Sequence, residues 1–236
     1  MKYDLVVAYR IYPGISKVPP VYPNDKLKLA KFCLESFKKS LDGLKVKVYA
    51  LMDNCPKEYE DLFLEYFDAN DIEFVRLPGV GNKATFKKQI EILSNQNDSE
   101  VVYFAEDDYF YIDGLKNMVD FIKSGEADFI SPYEHPSCYN DGHIIGNSVK
   151  VFDNRRYITV QHACVTFMTT KGNLINNTKM FLIYPNWFAS DFVMWGTTTL
   201  GMTYFKYIKL LLDPKNYTLD NLKVTKAVRQ SGPICQ

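Results

Sequence analysis

The first 105 residues alternate between two hydrophobic patterns. Short apolar runs predict buried strands, and the segments between them carry apolar residues at the three- and four-residue spacing of amphipathic helices. The predicted strands are Lys2–Ala8, Val46–Met52, Ile72–Leu77 and Val101–Ala105, and the predicted helices are Leu27–Leu41, Glu58–Phe67 and Lys83–Leu93. Strands that alternate with helices in this way indicate an α/β, Rossmann-like fold, with a mixed, mainly parallel central sheet flanked by helices.

The pattern after residue 113 is less regular. It predicts a helix at Gly114–Ser124, a strand at Asp128–Ser131, a long irregular stretch at Pro132–Arg156, a β-rich segment at Tyr157–Thr170, and helices at Leu174–Phe181 and within Ala189–Leu212. The tail beyond Tyr217 carries weak signals. Because no repeat and no linker interrupt the chain, we expect one domain over 1–236, with a regular half at 1–113 and a second half at 114–236.

Polar residues follow the ends of the predicted strands. They are Tyr9 and Arg10 after the first strand, Asp53 after the second, the turn Gly79–Lys83 after the third, and Glu106–Asp108 after the fourth. Parallel strands bring their carboxyl ends to one edge of the sheet, which is where such sheets bind ligands. We therefore expect these residues to form one site.

Three adjacent carboxylates, Glu106, Asp107 and Asp108, stand at the end of the fourth predicted strand. A divalent cation with a bound phosphate would offset their mutual repulsion, and carboxylate oxygens are the ligands that Mg²⁺ and Mn²⁺ prefer. Side chains two positions apart on an extended strand share a face, so Glu106 and Asp108 would face the site and Asp107 would point away. A solvated acidic turn is the alternative, and the position at a strand end favours the metal site.

Composition excludes several classes of protein. Lys and Arg total 28, as do Asp and Glu, so the chain lacks the basic surface of a nucleic-acid-binding protein. No apolar run approaches the ~18 residues of a membrane span, and no secretion signal opens the chain. The five cysteines are scattered without a CxxC pair, which is typical of reduced thiols. We expect a cytoplasmic or membrane-peripheral protein without a transmembrane segment.

The order of these elements, with FAEDDY after the fourth strand, resembles the GT-A class of glycosyltransferases, whose metal motif is DxD or ExD at this place. Three later segments are similar to a bacterial and viral group of that class: EHPSCY (Glu134–Tyr139), QHACVTFMTT (Gln161–Thr170) and SDFVMW (Ser190–Trp195). The resemblance covers residues 3–200. It implies a GT-A-like fold, in which the half at 1–113 binds a nucleotide and the half at 114–236 binds an acceptor.

The resemblance also implies which residues hold the nucleotide of the donor. Ala8, Tyr9 and Arg10, around the end of the first strand, would hold the base and the ribose. Asp53 would bind the base or the ribose, and Lys83 would approach the base or the pyrophosphate. These residues belong to the same edge of the sheet that the strand ends indicate.

For the metal and the chemistry, the resemblance implies that Asp108 binds the ion. Glu106 would meet the ribose or a metal-bound water, and Asp107 belongs to the same donor-binding segment. Many members of the class supply a late histidine to the metal; here no histidine follows His162, so either His162 or water and phosphate complete the shell, and a core role for His162 is also open. Asp191 matches the catalytic base of inverting members, although an acid in the first turn of a helix is favoured by the helix dipole alone.

The sequence therefore predicts a hexosyltransferase-type glycosyltransferase. It would use Mn²⁺ or Mg²⁺ and move a sugar from a UDP- or GDP-sugar to a hydroxyl group of a glycan, glycoprotein or glycolipid, with inversion favoured. One alternative is a sugar nucleotidyltransferase of related fold, which would need a glycine-rich basic loop where YRIYPGISK stands. The other is a non-catalytic carbohydrate-binding domain.

Overall fold

The computed structural model describes residues 2–15, 18–133, 149–160, 163–186, 190–200 and 228–231. The chain forms two compact units, Met1–Val119 and Asp120–Gln236. That the whole chain acts as one domain stays a prediction.

The first unit alternates strands and helices as the hydrophobic pattern predicts. Its elements are β1 (Leu5–Ile11), α1 (Lys26–Ser40), β2 (Val46–Asp53), α2 (Glu58–Leu64), β3 (Ile72–Leu77), α3 (Asn82–Asn95) and β4 (Val101–Glu106), and α4 (Leu115–Lys123) follows β4. The four strands are parallel, in the order β3-β2-β1-β4. The predicted α/β fold with a mainly parallel sheet is confirmed.

β1 is an inner strand of this sheet, and all seven of its residues are buried. Its side chains alternate between the two faces of the sheet. Tyr9 packs on one face against Phe37 of α1 and Phe63 of α2, with ring centroids 5.3 Å apart in both pairs. Arg10 therefore points to the opposite face, where α3 lies. The predicted strand end at Ala8 was wrong by three residues, because the polar residues that follow it continue the strand.

Gln89 of α3 connects the ends of β1 and β4. It is fully buried, and its Nε2 donates to the carbonyl oxygens of Ala8, at 2.7 Å, and Ala105, at 3.2 Å. Because Gln89→Met removes both donations, we expect the free energy of unfolding to fall by about 1–2 kcal/mol in urea denaturation. The partly exposed neighbour Lys88 provides a control, since Lys88→Met should change stability by no more than about 0.5 kcal/mol. Equal effects of the two changes would contradict the bridging role of Gln89.

In the described part of the second unit, a mixed sheet is accompanied by three helices. The strands are β5 (Phe129–Ser131), β6 (Val149–Phe152), β7 (Arg155–Val160), β8 (Phe167–Thr170) and β9 (Val228–Ser231), and the helices are α5 (Lys171–Phe181), α6 (Ile183–Asn186) and α7 (Asp191–Leu200). The strand order is β8-β5-β9-β7-β6, with β5 and β9 parallel. The predicted β-rich segment Tyr157–Thr170 contains β8 and the part of β7 from Tyr157 onward. β6 lies in the stretch that the sequence predicts to be irregular, and β9 lies in the tail, where the sequence gives weak signals. The part of the last predicted helix beyond residue 200 lies outside the described residues.

An aromatic cluster forms the core of the second unit. Trp195 of α7 is fully buried, with its ring centroid 5.5 Å from that of Phe129, 4.8 Å from that of Phe167 and 5.8 Å from that of Phe181. Its indole Nε1 donates to the carbonyl oxygen of Cys164 at 3.1 Å. Because apolar rings surround the indole and its one donor is bonded, Trp195 serves the core and does not present a surface to a sugar.

Cys33 and Cys55 of the first unit are free thiols. Burial, together with the nearby charge of Asp107, raises the pKa of Cys33 and of Cys55 to about 12. The thiolate is the reactive form, so the raised pKa disfavours reaction of either thiol near neutral pH. Among the described helices, none has the length and apolar character needed to cross a membrane.

Candidate functional site

A pocket of about 280 Å³ lies at the carboxyl ends of β1, β2 and β4. Pockets for small ligands begin at a volume of about 300 Å³, so this one lies near the lower end of that range. It is lined by Arg10, Ile11, Tyr12, Asp53, Gly81, Asn82, Thr85, Glu106, Asp107 and Asp108. These residues come from one edge of the parallel sheet and from the start of α3, which is the edge that the sequence predicts as a ligand site.

Arg10 connects three elements beneath this pocket. The register of β1 and β4 places Arg10 directly beside Glu106, and the two side chains form an ion pair. The guanidinium group also donates to the side-chain oxygen of Asn82 and, at 3.0 Å, to its carbonyl oxygen. Asn82, the first residue of α3, lies within the turn Gly79–Lys83 that the sequence places at the site, although the sequence analysis gave it no role of its own.

Asp53 shapes the turn that leads into α3. Its carboxylate accepts hydrogen bonds from the backbone N–H groups of Gly79, Val80 and Gly81, at 2.9, 2.7 and 2.8 Å. Gly79 and Gly81 have φ values of 88° and 81°, which favour glycine. Asp53 thus holds a tight turn and directs the start of α3 at the pocket. Its predicted contact with a base or ribose stays a prediction.

Removal of the Asp53 carboxylate should loosen this turn. In Asp53→Ala the three N–H groups lose their acceptor, and we expect the free energy of unfolding to fall by about 2 kcal/mol. Asp53→Asn keeps one acceptor oxygen and should lose less. Urea denaturation followed by circular dichroism measures both changes. A value for Asp53→Ala equal to that of the wild type would mean that other contacts hold the turn.

Asp107 is buried in the wall of the pocket. Its Oδ2 lies 2.7 Å from the Lys26 ammonium nitrogen, and the backbone N–H of Tyr12 donates to the same oxygen in a long hydrogen bond of 3.4 Å. Burial raises the pKa of Asp107 to about 6, although the charge of Lys26 acts in the opposite direction. The Asp107 carboxylate is shielded from solvent, and its contacts with Lys26 and Tyr12 help to fix the shape of the site.

Asp108 is the exposed carboxylate of the three. Among the described residues it forms no ion pair, in contrast to Glu106 and Asp107. Its pKa is raised by desolvation where it borders the pocket and next by the negative charge of Glu106. Within the described part of the chain, no group of three or more His, Cys, Asp or Glu side chains is arranged to hold a metal ion. The chain thus offers two neighbouring carboxylates, and any ion here would take its other oxygen ligands from a bound phosphate and water, as Mg²⁺ usually does.

Three residues predicted to contact the nucleotide do not line the pocket. Ala8 and Tyr9 are fully buried, and the Tyr9 hydroxyl has no hydrogen-bond partner among the described residues. Both lie inside β1 and not in the loop that the sequence predicts, and their contact with the base and the ribose stays a prediction. Lys83 is partly exposed in the first turn of α3 and is not among the residues that line the pocket, whereas its neighbour Asn82 is.

The remaining predicted residues belong to the second part of the chain. Asp191 is the first residue of α7 and is partly exposed. The hydroxyl of Ser190 accepts a hydrogen bond from the Val193 N–H at 3.4 Å, so this serine caps the helix. His162, predicted as a metal ligand, lies outside the described residues. The roles of Asp191 and His162 stay predictions.

Several solved structures share this fold, although no protein-family model and no curated protein sequence matches the chain. S. aureus TarS 1–349 in complex with UDP has a TM-score of 0.51 and 14% identity, and the match covers 92% of this chain and 73% of that one. The galactosyltransferase LgtC in complex with donor and acceptor sugar analogues has a TM-score of 0.50 and 9% identity, with coverage of 97% and 87%.

A second structure of TarS 1–349 matches with a TM-score of 0.51 and 15% identity, over 83% of this chain and 55% of that one. A longer TarS chain is covered to only 29% of its length. At these identities the likeness establishes the fold. The chain has the GT-A-like fold of nucleotide-sugar glycosyltransferases, which confirms the resemblance recognised in the sequence.

Proposed function

We propose that this chain is a glycosyltransferase that moves a sugar from a UDP- or GDP-sugar to a hydroxyl group of a glycan, glycoprotein or glycolipid. The observation that carries the proposal is the pocket at the strand ends, where Asp108, Arg10 and the start of α3 converge. Two proteins of the same fold support it, since TarS was solved with UDP and LgtC with sugar analogues.

The start of α3 is suited to the pyrophosphate of such a donor. The first N–H groups of a helix have no partner within the helix and carry the positive end of its dipole. The residue that caps α3 is Gly81, which offers no side chain to occupy these groups. Arg10 adds a positive charge next to Asn82. We assign the pyrophosphate to this end of the pocket, and the nucleoside to the space between Tyr12 and the turn that Asp53 holds.

Mn²⁺ or Mg²⁺ would be held by Asp108, with Glu106 beside it, and would take further oxygen ligands from the phosphates of the donor. When bound, the ion offsets the charge that develops on the departing nucleoside diphosphate. Two neighbouring carboxylates, with no third ligand group beside them in the described part of the chain, suit an ion that binds together with its nucleotide. Glu106 is paired with Arg10, whereas Asp108 forms no ion pair among the described residues.

Asp191 is proposed as the catalytic base. Its carboxylate would accept the proton of the acceptor hydroxyl while that oxygen bonds to the anomeric carbon and the bond from this carbon to the diphosphate breaks. Attack opposite the leaving group inverts the configuration of the sugar. It stands at the first position of α7, where a carboxylate interacts favourably with the helix dipole.

A donor panel tests this function. The protein is incubated with UDP- and GDP-sugars and simple saccharide acceptors, with MnCl₂ or with EDTA, and free UDP or GDP is measured. We expect metal-dependent release from one donor class. No release from any donor would contradict the proposal, and binding without turnover would indicate a carbohydrate-binding domain. Pyrophosphate release from a nucleoside triphosphate and a sugar 1-phosphate would instead indicate a nucleotidyltransferase.

A further inference from the structure

Lys26 is buried where two physical effects disfavour a cation. It is the first residue of α1, and 7% of its side-chain surface is exposed. The positive end of the helix dipole repels an ammonium group, and removal from water destabilises it further. A lysine is therefore unfavourable at this position on local grounds, which indicates that contacts elsewhere in the site require it.

The Lys26 ammonium joins the segments that follow β1 and β4. Its nitrogen lies 2.7 Å from Asp107 Oδ2, after β4, and 5.1 Å from the centroid of the Tyr12 ring, after β1. The Tyr12 N–H also donates to Asp107 Oδ2. Both segments form walls of the pocket, whereas Lys26 is not among the pocket-lining residues.

The segment after β4 is attached to α1 at a second point. The Ser36 hydroxyl oxygen accepts a hydrogen bond from the Tyr111 N–H at 3.0 Å, and the Tyr103 hydroxyl donates to that of Tyr111 at 3.1 Å. Residues 107–111 are thus fixed to α1 at both ends. Asp108, exposed and facing the pocket, lies between the two attachments.

We propose that Lys26 is a positioning residue that holds the 107–111 segment on α1 through Asp107 and so sets the place of the Asp108 carboxylate. The inference rests on the proposed function, because it gives this carboxylate the task of receiving a metal–nucleotide complex. Without the ion pair, one end of the segment is released, and Asp108 occupies several positions of which few suit the complex. Lys26 contributes without touching the ligand.

A double variant that replaces the Lys26–Asp107 ion pair with neutral residues tests the positioning role separately from an effect on folding. In the double variant Lys26→Met/Asp107→Asn no buried charge is left without a partner, so we expect a thermal midpoint close to that of the wild type. We expect its affinity for UDP or GDP with Mn²⁺, measured by calorimetry, to fall by about tenfold or more, since small displacements of a binding group have large effects. Lys26→Arg, which keeps the charge, should restore most of the affinity. The exposed Lys28 of the same helix is the control, and Lys28→Met should bind as the wild type does.

Hydrogen exchange gives a readout that needs no ligand. The backbone amides of residues 107–111 should exchange faster in the double variant than in the wild type, while those of β1 and β4 should not change. If the wild type binds no nucleotide, the proposed function fails, and the exchange result alone decides the role of Lys26. The inference is overturned if these amides exchange in the double variant at the wild-type rate, or if the double variant binds the nucleotide with wild-type affinity.

Discussion

Asp191→Asn is expected to lower kcat for sugar transfer by about 10²–10⁴-fold, the usual contribution of a general base. Asparagine has the shape of aspartate but cannot accept the proton of the acceptor hydroxyl. It is also well tolerated at the start of a helix, so loss of the favourable charge–dipole interaction should cost only about 0.3–1 kcal/mol of stability. Steady-state kinetics together with thermal unfolding separate the two effects.

The control for Asp191 is another carboxylate of the second unit. Glu126 is 41% exposed at its side chain, and Glu126→Gln should leave kcat unchanged. The KM for the donor should also remain near the wild-type value in Asp191→Asn, because Asp191 does not line the pocket at the strand ends. Wild-type turnover in Asp191→Asn would exclude the base and leave Asp191 as a first-turn acid that the helix dipole favours.

Asp108→Asn is expected to weaken binding of UDP or GDP in the presence of Mn²⁺ by about 10²-fold or more, because it removes a carboxylate that borders the pocket and forms no ion pair among the described residues. The fold should persist, since Asp108 is exposed and the segment remains attached to α1 through Asp107 and Tyr111. Titration calorimetry with and without MnCl₂ measures the change. We expect the difference between the two conditions to vanish in the variant.

Asp113 provides the matched control for Asp108. It is an exposed carboxylate that follows the same strand and does not line the pocket. Asp113→Asn should therefore bind as the wild type does. Equal losses in both variants would point to a general effect of negative charge, and wild-type binding in Asp108→Asn would place the ion elsewhere.

Most of the first unit follows from local pattern. β3 has the predicted bounds Ile72–Leu77, and β2, β4 and the three helices between the strands differ from prediction by at most a few residues. β1 is the exception, because Tyr9 and Arg10 are polar and suggest a loop. Their partners explain why they are buried: Arg10 is paired with Glu106, 96 residues away, and Tyr9 enters an aromatic cluster. The residues next to Tyr9 and Arg10 in the sequence give no indication of these distant partners.

The same reason explains what the site analysis missed. The acidic segment and Asp53 are recognisable, because they directly follow apolar runs. Lys26 looks like an ordinary surface lysine at the start of a helix, and within the predicted turn Gly79–Lys83 nothing distinguishes Asn82 from its neighbours. Their importance depends on contacts with Asp107 and Arg10. In the second unit, β9 is a short strand defined by its pairing with β5 and β7, and nothing in its own sequence marks it.

Calorimetric titration of the wild-type protein with UDP and with GDP, in MnCl₂ and in EDTA, tests the central claim most directly. The account predicts that one of these nucleotides binds at a single site in the presence of Mn²⁺ and that EDTA abolishes or strongly weakens this binding. Failure of both nucleotides to bind in either condition would contradict the account.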